Sequence, residues 1–134
     1  MDIVINNAGI FIEHPIFEVT YDGWQDSWNS TVETNLIGPA NVCYIAGSYF
    51  KKKKKGKIIN ISSRGANRGE PTAPAYGASK AGLNALSQSL AIALAPYNIF
   101  VGVVAPGFVE TDMTTEILSS STGDIIKNQS PMNR

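Results

Sequence analysis

Three short apolar runs alternate with two long amphipathic segments along the chain. The runs are DIVIN (2–6), GKIINIS (56–62) and IFVGVVA (99–105), and each ends in small or polar residues. Because the runs are nearly continuous in apolar residues, they predict strands buried on both faces, as in a parallel sheet covered by helices. The order strand–helix–strand–helix–strand predicts a doubly wound α/β fold with right-handed crossovers.

The segment from about Pro74 to Ala95 predicts a helix with one apolar stripe. Its leucines recur at spacings of three and four, at positions 83, 86, 90 and 94. Tyr76 and Lys80 extend this stripe, since Tyr76 precedes Leu94 by roughly five full turns. We therefore expect both side chains to face the sheet at the carboxyl ends of its strands, where ligands bind in open α/β folds.

A second helix is predicted from about Thr20 to Phe50, with an irregularity at its centre. Proline has no N–H, so Pro39 deprives the carbonyl of Asn35 of its helical partner. We expect a bend there, with that carbonyl free and turned inward. Asn35 could instead be a helix irregularity without function. The apolar face of this helix is predicted to comprise Trp24, Trp28, Val32, Leu36, Val42, Ile45 and Phe50.

The composition excludes several classes of function. The chain has 134 residues, of which 43% are hydrophobic and 16% charged, as is typical of one folded domain. Eleven Lys and Arg balance eleven Asp and Glu, so the charge gives no support for a nucleic-acid partner. The lysine run 51–55 is interpreted as the solvated end of a helix, where cations suit the helix dipole. No segment is apolar for long enough to predict a membrane span.

The single cysteine and the single histidine are assigned no function. Cys43 cannot form an internal disulfide, which favours a reducing, cytoplasmic compartment. Neither Cys43 nor His14 has partners at metal-ligand spacing, so no metal site is predicted.

Small and polar residues follow each predicted strand. NNAG (6–9) follows the first strand, Ser62 and Ser63 close the second, and PGFVET (106–111) follows the third. Carboxyl ends of parallel strands meet at one edge of a sheet, so these clusters predict a site there. Asn6 and Ser62 are interpreted as structural, with Asn6 tying neighbouring strands together.

Tyr76 and Lys80 approach the same edge from their helix. The spacing of four residues places both side chains on one helix face. An ammonium roughly 4–5 Å from the phenol favours the phenolate by about 3–4 kcal/mol at an effective dielectric near 20. This would suit Tyr76 to proton transfer at neutral pH. Tyr76 could also be an ordinary core tyrosine with a satisfied hydroxyl.

Taken together, the motifs resemble the short-chain dehydrogenase/reductase family over almost the whole chain. They are NNAG, VETNL, IINISS, YGASKAG and VVAPGFVETDM, in the family's order. The last motif is similar to that of 3-oxoacyl-acyl-carrier-protein reductases and also to that of sugar and secondary-alcohol dehydrogenases. The family's phosphate loop, Thr-Gly-x-x-x-Gly-x-Gly, does not occur in this sequence. Residues 1–134 are therefore expected to form one incomplete domain, a partial Rossmann-like sheet lacking the dinucleotide-binding half.

The resemblance implies an NAD- or NADP-dependent oxidoreductase that interconverts a carbonyl and a secondary alcohol. It implies that Tyr76 exchanges the proton, Ser63 hydrogen-bonds the substrate oxygen and Lys80 also holds the nicotinamide ribose. Asn35 would hold a water through its backbone carbonyl. The implied cofactor contacts are Asn7, Ala8, Gly9, Tyr76, Lys80, Pro106, Gly107, Val109 and Thr111.

The resemblance also carries expectations about assembly and leaves an alternative open. Residues 112–134 are expected to form part of a substrate lid, and the complete protein is expected to be a homodimer or homotetramer. The first and third strands should both be exposed, apolar edges. The alternative is a non-catalytic remnant that cannot bind cofactor by itself. A regulatory binding module is disfavoured, because it would have little need of the spaced serine, tyrosine and lysine.

Overall fold

A single parallel sheet of three strands is the framework of the computed structural model, which describes residues 1–107. The strands are β1 (Ile3–Asn6), β2 (Gly56–Ile61) and β3 (Ile99–Val104), in the spatial order β1–β2–β3. β2 pairs in parallel with both neighbours. The three predicted strands and their parallel pairing are therefore confirmed, and β1 and β3 are the two edges.

Two long helical segments connect the strands. They are built from α1 (Tyr21–Val32), α2 (Gly38–Lys53), α3 (Gly65–Arg68) and α4 (Pro74–Leu94). A π-helical turn at Glu33–Ile37 joins α1 to α2, and a 3₁₀ turn at Ala95–Tyr97 follows α4. The π turn lies where Pro39 predicts an irregularity, and the short helix α3 was not predicted.

The core lies between the sheet and one layer of helices. Fully buried Phe50 and Ile58 pack with Cys43, Ile99 and Val101 in one cluster. Two successive right-handed crossovers that move in the same direction leave their helices on the same face of a sheet. α2 and α4 therefore cover one face of this sheet together.

The apolar face predicted for the first long helix is wrong at two positions in its second half, although Phe50 is fully buried as predicted. Val42 is 40% exposed and Ile45 is 67% exposed. The π turn adds residues to a turn of the helix and changes the phase of the stripe that follows it. The buried residues of α2 are instead Pro39, Cys43, Ala46, Gly47 and Phe50, of which Cys43, Ala46 and Phe50 belong to the core cluster.

The opposite face of the sheet is open within residues 1–107. Ile3 and Ile5 of β1 and Phe100 of β3 are each more than half exposed. Side chains alternate between the two faces of a strand, so these residues lie opposite the helix-covered ones. The expected exposure of two apolar edge strands is confirmed.

The lysine run lies at the solvated end of α2, as predicted. Lys51 to Lys55 are all exposed, and Lys54 ends the helix in a left-handed conformation with φ of 52°. Lys53 pairs with Asp2 at 2.6 Å, which lowers the pKa of that carboxyl through the hydrogen bond and the charge of the lysine. Across the described part of the chain, no helix combines the length and apolar character needed to cross a membrane.

Candidate active site

Lys80 lies deep at the carboxyl-terminal edge of the sheet. Only 4% of the residue is exposed, and its Nζ donates a hydrogen bond of 2.9 Å to the carbonyl of Ile61, at the end of β2. Burial lowers the pKa of Lys80, because the charged form loses solvation. Its Nζ is 5.8 Å from the centroid of the Tyr76 ring. The structure thus places the predicted lysine beside the predicted tyrosine.

Tyr76 is half-buried one turn before Lys80 on α4. The ring of Phe11, in the loop after β1, contacts its ring edge-on, with centroids 5.0 Å apart. Such edge-to-face pairs orient aromatic rings more strictly than burial alone does. The loop after β1 therefore restricts the direction of the Tyr76 ring.

Asn35 lies fully buried in the π turn, and its side-chain carboxamide makes hydrogen bonds to two other segments. Its Oδ1 accepts from the N–H of Ile10 at 2.8 Å, and its Nδ2 donates to the carbonyl of Ile10 at 2.9 Å. The same Nδ2 donates to Ser79 Oγ at 3.2 Å. Asn35 thus connects the loop after β1 to α4. The sequence pattern indicated a role for the backbone carbonyl of Asn35 only and gave no sign of this bridge.

Gly9 stands where the loop after β1 meets these side chains. A Cβ placed on Gly9 would lie 3.3 Å from Oδ1 of Asn35 and 3.3 Å from Nζ of Lys80. Asn7, Ala8 and Gly9 are all exposed at the end of β1. Glycine at this position keeps a side-chain carbon from crowding the lysine ammonium and the carboxamide of Asn35.

The two serines that end β2 have different environments. Ser62 is buried, and its Oγ donates to the carbonyl of Lys80 at 3.3 Å, which fits the structural interpretation. Ser63 is half-buried, and its Oγ accepts from the N–H of Gly65 at 3.1 Å. The carbonyl of Gly65 lies against Gly77 of α4, where an added Cβ would be 3.4 Å away. Ser63 therefore belongs to the turn that packs beside Tyr76.

The segment after β3 returns to the same edge. The carbonyl of Pro106 accepts a hydrogen bond of 3.3 Å from the N–H of Arg64, the residue after Ser63. Gly107 is exposed there. Of the remaining predictions, Val109, Thr111 and the lid at 112–134 lie outside the described residues.

Asn6 connects the two strands below the site, as predicted. Its Nδ2 donates to Oδ1 of Asn60 at 2.7 Å, and Nδ2 of Asn60 donates to Ser87 Oγ at 2.8 Å. Cys43 lies 3.4 Å from Asn6 Nδ2, and burial raises the pKa of its thiol. This thiol is a packed core group and not a candidate nucleophile.

His14 has a defined place that the sequence analysis did not assign. It is fully buried, and its imidazole bonds to the carbonyl of Ile12 and to the N–H of Ala75, next to Tyr76. A lone histidine has no spacing partner, so pattern analysis had no means of finding it. The available signal was indirect: α4 lacks a capping side chain at Ala73.

Comparisons with known proteins agree on one family. The family model described as short chain dehydrogenase matches residues 1–122. The 3-oxoacyl-[acyl-carrier-protein] reductase of Chlamydia trachomatis is 36% identical over 129 residues, covering 96% of this chain and 48% of the reductase. The same reductase of Salmonella typhimurium is 37% identical over 126 residues, covering 94% of this chain and 50% of the relative. The chain thus spans about half the length of the curated relatives it matches.

Solved structures show the same fold. A gluconate 5-dehydrogenase from Burkholderia cenocepacia, in complex with NADP and tartrate, superposes with a TM-score of 0.89 at 29% identity. That match covers 100% of this chain and 51% of the dehydrogenase. An NAD⁺-bound xylitol dehydrogenase superposes with a TM-score of 0.87 at 25% identity, covering 100% of this chain and 56% of that one. The partial Rossmann-like sheet predicted from the sequence is confirmed.

Proposed function

The chain belongs to the short-chain dehydrogenase family, and from this membership we propose that it carries the catalytic half of an NAD(P)-dependent oxidoreductase. The reaction is the interconversion of a carbonyl and a secondary alcohol. One observation carries the proposal: the buried ammonium of Lys80 lies beside Tyr76 at the ligand-binding edge of the sheet.

The residues at this edge fit a nicotinamide cofactor. Within residues 1–107, the Lys80 ammonium donates one hydrogen bond, to Ile61, which leaves donors for ribose hydroxyls. The space that a Cβ on Gly9 would fill lies directly beside that ammonium. Lys80 and the small residues after β1 would hold the nicotinamide ribose, with Pro106 and Gly107 at the nicotinamide end. The bound cofactor would supply the hydride.

Tyr76 would move the proton and Ser63 would orient the substrate. In reduction, the phenol of Tyr76 would give its proton to the carbonyl oxygen of the substrate, and in oxidation Tyr76 would take the proton from the alcohol. Ser63 donates a hydrogen bond to the same oxygen and stabilises the charge that develops there. Asn35 would hold, through its backbone carbonyl, a water that leads to Lys80, and this role is additional to that of its side chain.

The relatives supply the substrates to test. A 3-oxoacyl thioester corresponds to the reductases of Chlamydia trachomatis and Salmonella typhimurium, and gluconate corresponds to the dehydrogenase of Burkholderia cenocepacia. Both contain the carbonyl or secondary alcohol that the proposed acid–base pair requires. We propose that the substrate is a small molecule that contains a carbonyl or a secondary alcohol.

Cofactor binding is the first test. The purified 134-residue chain is titrated with NADH and, separately, NADPH, and the nicotinamide fluorescence is recorded. We expect saturable enhancement or quenching with at least one cofactor, weakened in Gly9→Val, whose side chain would occupy the space beside Lys80. An unchanged signal at high cofactor concentration would contradict the proposal and favour the remnant that cannot bind cofactor by itself.

Turnover is the second test. With a 3-oxoacyl thioester, the oxidation of NADH or NADPH is followed; with gluconate, the reverse reaction is followed as the reduction of NAD⁺ or NADP⁺. Tyr76→Phe should lower kcat by about 10²–10⁴-fold, the usual contribution of a general acid. Tyr97→Phe removes a phenol at the opposite edge of the sheet, before β3, and is the matched control. Equal activity of the two variants would exclude Tyr76 as the proton donor.

We also propose that α2 and α4 mediate self-association. Both helices expose large apolar side chains on the side away from the sheet, namely Val42, Tyr44, Ile45, Tyr49 and Ile92. Ile45→Glu should shift the sedimentation coefficient of the protein toward that of the monomer. An unchanged assembly state would place the contact elsewhere.

A further inference from the structure

The first turn of α4 carries Tyr76, one turn before Lys80, but lacks a side-chain cap in its own sequence. Ala73 is the N-cap residue and cannot accept a hydrogen bond through its side chain. Pro74 has no N–H, and the amides of Tyr76 and Gly77 donate to the carbonyl of Ala73 at 3.0 and 3.4 Å. The remaining amide of this turn belongs to Ala75. A buried amide without an acceptor would destabilise the helix start.

The acceptor for Ala75 is supplied by His14, from 61 residues earlier in the chain. Its Nε2 lies 3.3 Å from the Ala75 nitrogen, and its Nδ1 lies 2.8 Å from the carbonyl oxygen of Ile12. A carbonyl can only accept and an amide N–H can only donate, so the proton resides on Nδ1. The two contacts together select the neutral Nδ1–H tautomer.

The surrounding contacts fix this imidazole against α4. The N–H of His14 donates to the carbonyl of Thr72 at 2.7 Å, and the hydroxyl of Thr72 donates to Glu13 at 3.1 Å. The Trp24 ring contacts the imidazole edge-on, with centroids 5.3 Å apart. The same loop presents Phe11 to the Tyr76 ring. The loop after β1 therefore contacts residues both before and after the start of α4.

We propose that His14 is a positioning residue whose neutral imidazole caps α4 and thereby fixes Tyr76 and Lys80 at the sheet edge. The capping of α4 by His14 is independent of the reaction, whereas the effect of His14 on catalysis rests on the proposed function. The N-cap residue of α4, Ala73, makes no side-chain cap of its own.

The tautomer is the most direct test. Long-range ¹H–¹⁵N correlation spectra of the 134-residue chain report which imidazole nitrogen carries the proton. We expect the Nδ1–H form to predominate near neutral pH. Predominance of the Nε2–H form would overturn the proposal, since Nε2 could not then accept from Ala75.

Two substitutions with side chains of similar length distinguish the effect of the hydrogen-bond acceptor from the effect of packing. His14→Gln presents an amide oxygen at the position of Nε2, and His14→Met presents no comparable acceptor. We expect hydrogen exchange at the Ala75 amide to be roughly tenfold faster in the Met variant than in the Gln variant, as for loss of a helix cap. Folding of the Gln variant alone would also support the proposal. Equal exchange in both variants, or unfolding of both, would contradict it.

Kinetics then test the catalytic consequence. His14→Met should lower kcat about tenfold or more, since small displacements of reacting groups cost rate. The loss should be larger in kcat than in the KM for the cofactor, because Tyr76 lies nearer to the cap than Lys80 does, and His14→Gln should restore most of kcat. Equal loss in both variants would overturn the positioning role. Inactivity of the unsubstituted chain would count against the proposed function and not against the cap, which the exchange experiment measures separately.

Discussion

Replacement of Asn35 by alanine tests whether the π turn is held by a side chain or only by its backbone. In the structure the carboxamide of Asn35 is fully buried and makes three hydrogen bonds. Two of them satisfy both backbone groups of Ile10, and the third reaches Ser79 on α4. Asn35→Ala removes all three and leaves the Ile10 amide and carbonyl without these partners.

The expected loss follows from the number of bonds. A typical hydrogen bond contributes about 0.5–1.5 kcal/mol net, so loss of three lowers the free energy of unfolding by about 3 kcal/mol. With an m-value of about 1.5–2 kcal/mol/M, the urea midpoint falls by roughly 1.5–2 M. A kink maintained by Pro39 alone would predict a much smaller change.

Urea unfolding followed by circular dichroism measures this difference. Asn41→Ala, at an exposed position on α2, is the matched control and should shift the midpoint little. A loss below about 1 kcal/mol in Asn35→Ala, the size expected for one bond, would refute the assignment of a bridging role to the side chain. The bridging role would also be refuted if Asn41→Ala lost as much stability as Asn35→Ala.

Three further predictions concern burial and packing. Burial lowers the pKa of Lys80, so between the folded-state pKa and about 10.5 the unfolded chain binds more protons than the folded chain. The free energy of unfolding of the wild type should therefore rise, relative to that of Lys80→Met, as the pH rises toward 10.5. Urea titrations that show this difference growing as the pH falls would contradict the prediction. Gly56→Ala should cost about 1–3 kcal/mol, because the new Cβ would overlap the Phe50 ring, whereas Gly107→Ala, with nothing within 4 Å, is the near-neutral control. Phe100→Lys should reduce aggregation through the open face of the sheet, measured as light scattering by the protein solution. Unchanged scattering would show that this face does not drive association.

The positions of the chemical groups were predictable to different degrees. Lys80 faces the sheet because helical periodicity and the leucine stripe determine its direction locally. The bridge made by Asn35 joins residues 25 apart in sequence, and no short-range pattern reports it. Val42 and Ile45 were misassigned because a π turn shifts the helical phase. The proton-transfer roles of Ser63 and Tyr76 stay predictions.

The sequence by itself determined the elements and their family. Continuous apolar runs specified parallel strands, the leucine spacing specified α4, and the ordered motifs specified the short-chain dehydrogenase family. These are local properties, because a strand or helix period is set by residues adjacent in the chain.

Only the tertiary structure decided which polar groups hold the site together. His14 reaches Ala75 across 61 residues, and Asn6 reaches Asn60 across 54. Within residues 1–107, the structure also decided that α2 and α4 share one face of the sheet and leave the other open. Such partnerships depend on where the crossovers place each element, and buried polar groups then bond to whichever partners lie within reach.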